Sequence, residues 1–168
     1  MAALTPTDTT AIPSHGGKYL TFALGREEYG LPILKVREII GLMDITAVPG
    51  TPSYVRGVIN LRGQVIAIVD LRSKFCMPSV DATDQTCIIV VVVEHDGIKC
   101  STGLVVDRVS EVLEIPSDTI EDPPGFTKDE NSDFILGMGK VGNAVKILLD
   151  IDRILSAAEF AQWNSHKN

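Results

Sequence analysis

The sequence predicts a mainly β protein built as small antiparallel barrels, with short helices and little other helix. Three observations carry this. Apolar runs are short and often β-branched, and turns containing Gly or Pro separate them at regular intervals. Hydrophobic residues make up 45% of the chain but aromatics only 5%, so the core must be mostly aliphatic. The chain also repeats itself. The stretch Tyr54 to Arg72 returns in weaker form 80 positions on, where Gly57, Gly63, Val65, Val69, Asp70 and Leu71 match Gly137, Asn143, Val145, Leu149, Asp150 and Ile151. A second block matches at a spacing of 73: Gly30-Leu31 with Val36, Glu38, Ile39 and Ile40, against Gly103-Leu104 with Val109, Glu111, Val112 and Leu113. Two ordered blocks predict two copies of one module of about 60 residues, with about five strands in each half.

The elements follow in order. Residues 1–18 hold Thr, Pro, Gly and Ser with little apolar content, and predict a flexible tail. Tyr19 to Leu24 and Tyr29 to Leu31 predict a hairpin around the polar turn Gly25 to Glu28. Pro32 suits the first turn of a short helix, Ile33 to Ile40, with Ile33, Val36 and Ile40 inward and Lys35, Arg37 and Glu38 outward or at its border. Ile45 to Val48 predicts a short strand ending at Pro49-Gly50. The Tyr54–Arg72 stretch supplies two strands around the turn Asn60 to Gly63, and Leu71 to Phe75 closes with a helical turn.

Met77 to Gln85 is polar, which predicts a boundary between lobes at about 19–76 and 86–151 inside one domain, 19–164. Cys87 to Glu94 lacks alternation and predicts a strand buried on both faces, returning through His95-Asp96-Gly97 into Ile98 to Val106. Val109 to Ile115, Phe134 to Val141 and Ala144 to Leu149 predict the remaining strands, with a loop between Asp122 and Asp133. Asp152 can cap a last helix, about 152–163.

Composition narrows the function. At −7 and a pI near 4.9, the chain lacks the clustered cations that nucleic-acid or anionic-membrane binding requires. Cys76, Cys87 and Cys100 are odd in number and not closely paired, which fits a reducing compartment. The longest apolar run, Cys87 to Val93, is too short to span a bilayer, so a cytoplasmic protein without membrane insertion is expected.

No catalytic constellation emerges. His15, His95 and His166 lack metal-ligand spacing, and no CxxC is present. Gly137-Met138-Gly139 lacks the Lys-Ser/Thr of a phosphate loop, so no metal or cofactor is expected. Asp70 and Asp150 are the carboxylates an enzymatic or small-ligand-binding barrel would use. Their equivalence in the repeat instead predicts the same turn or cap role twice. Glu38 and Arg62 are better candidates for function, and the chain reads as a binding module.

The segments Glu28 to Leu31, Ile33 to Ile40, Gly57 to Gly63 and Asp70 to Arg72 resemble the CheW family of bacterial chemotaxis coupling proteins, over roughly Tyr19 to Leu155. The resemblance implies two five-stranded SH3-like barrels side by side and a non-catalytic adaptor. Such an adaptor links the cytoplasmic tips of methyl-accepting chemoreceptors to the regulatory domain of the histidine kinase CheA. It implies a receptor-binding groove at Val36, Glu38, Ile39, Gly57, Asn60, Arg62, Gly103, Val109 and Val112. For the kinase it implies the loop Glu121 to Phe126, with Glu121 and Phe126 as contacts. Glu38 and Arg62 are expected to lie close together and to border an apolar groove.

Overall fold

A computed structural model describes residues 15–123 and 134–154. The described chain is mostly strand: β1 (Gly17–Leu24), β2 (Glu27–Pro32), β3 (Val36–Gly41), β4 (Val55–Leu61), β5 (Gln64–Asp70), β6 (Cys87–His95), β7 (Ile98–Val106), β8 (Arg108–Ile115), β9 (Ile120–Glu121), β10 (Ile135–Val141) and β11 (Ala144–Leu149). Helix is confined to α1 (Leu71–Lys74) and to single 3-10 turns at Ile33–Lys35, Ser117–Thr119 and Ile151–Arg153. Gly17 and Lys18, placed in the tail by the sequence, already pair with Ile115 and Glu114.

The strands form two sheets, and neither is made from one half of the chain. One has six strands in the order β8-β1-β2-β11-β10-β9, the other five in the order β3-β6-β7-β5-β4. The first hairpin, β1–β2, therefore belongs with the strands of the second half, and the hairpin β6–β7 with those of the first. This corrects the expected division into contiguous lobes at 19–76 and 86–151. The exposed segment Pro78 to Gln85 joins two sheets that each need both halves.

The duplication is visible in the register. Gly57 pairs with Ile68 just after a bulge in β4, and Gly137 pairs with Leu148 just after the matching bulge in β10. The parallel pair Gly103–Ile68 in one sheet corresponds to the parallel pair Gly30–Leu148 in the other. β5 ends in Asp70 and β11 is followed directly by Asp150, and the backbone N–H of each donates to the backbone carbonyl of an aromatic residue, Asp70 to Tyr54 and Asp150 to Phe134, each at 2.7 Å.

Pairing across the sheets leaves three apolar layers. β6 faces two of them: Ile89, Val91 and Val93 enter the layer between the sheets, with Phe22, Leu24, Leu71 and Leu149. Ile88 and Val90 enter the layer inside the five-stranded sheet, with Ile59, Ile66 and Ile68. The two-sided burial expected of this strand is observed, and it follows from side chains alternating across a strand covered on both faces. A smaller layer of Tyr19, Ile115 and Leu148 sits inside the six-stranded sheet.

Two local expectations change. The helix expected over Ile33 to Ile40 is a single 3-10 turn followed by strand β3. Val36, Glu38 and Ile40 are half-buried while Arg37, Ile39 and Gly41 are exposed, a period of two. β-branched Val36, Ile39 and Ile40 suit an edge strand, and pairing with β6 overrides the weak helical pattern. Ile45 to Val48 reduces to one bridge, Thr46 to Val58, with both hydrogen bonds at 2.9 Å. Asp150 caps the 3-10 turn Ile151–Arg153 by accepting from Asp152 N at 3.2 Å, while the helix expected over 152–163, with Asp152 as its cap, lies outside the described residues from 155 onward.

Candidate functional site

The turn between β4 and β5 has two residues, Arg62 and Gly63, with φ of 52° and 87°. Two left-handed residues in a two-residue hairpin match the right-handed twist of the flanking strands. Asn60 Oδ1 accepts a hydrogen bond from Gly63 N at 2.8 Å and holds the turn. The Arg62 guanidinium donates to the Glu38 carboxylate on β3. β3 and β4 are the two edges of the five-stranded sheet, so the pair links one edge to the turn that leaves the other.

Left-handed backbone disfavours a side chain by about 1–2 kcal/mol, and glycine escapes that cost. The matching turn between β10 and β11 places Gly142, with φ of 60°, where the first turn has Arg62. The residue after it, Asn143, is not left-handed as Gly63 is, so the two turns share a positive φ only at this first place. Arg62 is 66% exposed at its side chain, so burial does not account for it either.

The remaining candidate residues divide by role. Ile39 and Val112 are matched residues of the repeat on β3 and β8, each an edge strand of its sheet, and they are 45% and 50% exposed. Val36 and Val109 are their half-buried neighbours and both pack on the layer between the sheets. Gly57 and Gly103 are shape residues. A methyl on Gly57 (φ 142°) would stand 2.0 Å from the Thr46 carbonyl oxygen, in the path of the Thr46–Val58 bridge. A methyl on Gly103 would stand 2.6 Å from Ile68 Cδ1 and 2.7 Å from Ile88 Cγ2. Glu121 is exposed on β9 and pairs with Lys140 at 2.7 Å, which holds its carboxyl below the usual range. Phe126 lies outside the described residues.

Beside the Glu38–Arg62 pair lies a pocket of about 230 Å³, whose rim includes Arg37, Glu38, Arg62, Gln64 and Ser101. It is more polar than the apolar groove expected there. Arg37, which the sequence pattern placed outward on a helix, stands on this rim. It is the extra residue of a bulge, since Val36 pairs with Val91 and Glu38 with Val90. A bulge re-aims the side chain at that point. Arg37 Nη1 donates to Ser101 Oγ at 2.5 Å.

Two ion pairs pin the passages of the chain between the sheets. Arg72 of α1 donates to both carboxylate oxygens of Asp107, at 2.9 and 2.6 Å, and Asp107 also accepts from Gly25 N at 2.7 Å. The Arg72 hydrogen bond is the main reason the Asp107 carboxyl sits below its ordinary range. At the other passage Lys35 donates to Asp152 at 2.8 Å, and Asp152 accepts from Glu94 N at 2.9 Å. Asp70 and Asp150 do the local work their equivalence predicts. Asp70 Oδ1 accepts from Arg72 N at 3.0 Å and Ser73 N at 3.4 Å, while Asp150 accepts from Asp152 N.

The family model described as CheW-like domain matches residues 18–159. The chain is 39% identical over 161 residues to the chemotaxis protein CheW of Klebsiella aerogenes, covering 96% of this chain and 95% of that one. It is 30% identical to the chemotaxis protein CheW of Treponema pallidum, covering 89% and 88%. Among solved structures, the scaffolding protein TtCheW of Thermoanaerobacter tengcongensis superposes with a TM-score of 0.75 at 34% identity, over 84% of this chain and 94% of that one.

Proposed function

The chain belongs to the CheW-like family, and from that premise we propose that it is a non-catalytic adaptor of chemotaxis signalling in the cytoplasm. It couples the tips of chemoreceptors to the histidine kinase CheA. The observation that carries this reading is the pair Glu38–Arg62, with an arginine at a left-handed position where the matching turn uses Gly142. Unfavourable local geometry at an exposed charged residue marks function more often than stability.

The receptor presents a helical hairpin. Ile39 and Val112 offer exposed aliphatic anchors, Val36 and Val109 back them, and Glu38 and Arg62 orient the helix through charged hydrogen bonds. Gly57, Asn60 and Gly103 act on the same surface by shaping it. The kinase regulatory domain takes the surface around Glu121 and Phe126. No bond is made or broken in this chain. Holding receptor and kinase in fixed relation supplies the regulation, and repeated weak contacts in an array gain strength by multivalency.

Purified CheA and a receptor signalling fragment test the proposal in a pull-down with the full chain. Capture of both, and a joint complex that forms only when the chain is present, is the expected result. Failure to bind either one overturns it.

A further inference from the structure

The two copies of the module carry different charges at the places that match Arg37 and Ser101. In the second copy the bulge residue of β8 that matches Arg37 is Ser110, and the residue that matches Ser101 is Glu28. Glu28 is satisfied within the chain. It accepts from Lys146 at 2.6 Å and Ser110 Oγ at 3.1 Å, with Arg108 at 3.8 Å, and these partners hold its carboxyl below the usual range. In the first copy a carboxylate is missing from that place. Ser101 stands there instead, 6% exposed, and a bulge turns the guanidinium of Arg37 onto its hydroxyl. Among the described residues Arg37 has no carboxylate partner, although the chain carries a net charge of −7.

We infer that the pocket beneath Arg37 takes the carboxylate of an aspartate or glutamate side chain presented by the protein that docks on strand β3. The charges at its rim favour a single carboxylate over a phosphate. Arg62 is matched by Glu38, so one cation, Arg37, is left to be neutralised. Gln64 and the Ser101 hydroxyl supply further polar groups, and Ile66 and Val90 also line the pocket. Replacing the neutral hydroxyl by a carboxylate makes both partners ionised and lets the guanidinium meet two oxygens with parallel hydrogen bonds.

This inference rests on the adaptor reading, and its test separates the two. The full chain and its Arg37→Glu variant are titrated with a purified receptor signalling fragment, and with the same fragment carrying each exposed acidic residue changed in turn to arginine. Arg37→Glu is expected to melt like the wild type and to bind the natural fragment about tenfold or more weakly. One reversed fragment is expected to restore binding to Arg37→Glu while losing affinity for the wild type. Binding by Arg37→Glu within about twofold of wild type overturns the inference and leaves the adaptor reading intact. So does a loss that no reversed fragment restores, which would reflect general repulsion. A wild-type chain that binds no fragment overturns both.

Discussion

Arg62 and Gly142 hold matching places in two-residue turns and both sit at positive φ, 52° and 60°, whereas the residue that follows is left-handed only in the first turn, at Gly63 and not at Asn143. One copy of the module keeps the residue the backbone prefers. The other keeps a long cation that reaches Glu38.

This relationship predicts an inverted order of stabilities. Arg62→Gly and Arg62→Ala both remove the Glu38 pair, an exposed contact worth about 0–1 kcal/mol. Only alanine retains the left-handed penalty, so Arg62→Gly should be the more stable of the two by about 1 kcal/mol. Both should lose binding to a receptor fragment by about 2 kcal/mol or more, roughly thirtyfold. Urea unfolding and fragment titration on the same samples check this. Equal binding by wild type and Arg62→Ala would remove Arg62 from the site.

Gly57 and Gly103 should differ sharply in their tolerance of a methyl group. At Gly57 the obstacle is backbone, the Thr46 carbonyl 2.0 Å away, at a φ that side chains avoid. Gly57→Ala is expected to cost about 3 kcal/mol or more. At Gly103 the obstacles are the methyl ends of Ile68 and Ile88, which can repack, so Gly103→Ala should cost about 1–3 kcal/mol. Thermal melts of the two variants give the order directly, and a Gly57→Ala protein as stable as Gly103→Ala would contradict it.

Acid should act through Asp107. Its carboxyl is depressed in the folded state by Arg72, so it stabilises the fold above its ordinary value near 4 and loses that contribution as pH falls through the lower folded value. Asp107→Asn is expected to lose about 1.5–3 kcal/mol near neutrality, because Arg72 is largely buried beside it. The variant should then lose less stability than wild type between pH 6 and pH 3. Parallel unfolding curves at the two pH values for both proteins decide it.

The exchange of hairpins between halves predicts that the halves cannot fold separately. A chain cut between Asp81 and Ala82 leaves each piece with strands for both sheets and enough for neither. Each fragment alone should show little β signal in circular dichroism, and mixing equal amounts should restore it. A fragment that folds alone would show that one half is sufficient after all.

Much of this protein was legible without coordinates. Strand positions, the helical turn after Asp70 and the turn at Asp96-Gly97, with φ of 52° and 79°, follow from β-branched runs and turn chemistry, which act within a few residues. The repeat placed Gly57 with Gly137 and gave Asp70 and Asp150 a common role, because equal local sequence makes equal local contacts. The nearness of Glu38 and Arg62 was also expected, though for β3 the wrong element was assigned. The tertiary structure alone decided which strands pair. β2 lies beside β11 and β5 beside β7, across contacts that no local preference encodes, and burial of both faces of β6 selects that arrangement. The same non-local pairing drew Val36 to Ile40 into an edge strand and placed a bulge at Arg37. Whether Arg37 points at a carboxylate or at Ser101 depends on what stands opposite it on a strand 64 residues away, and only the assembled sheet brings the two together.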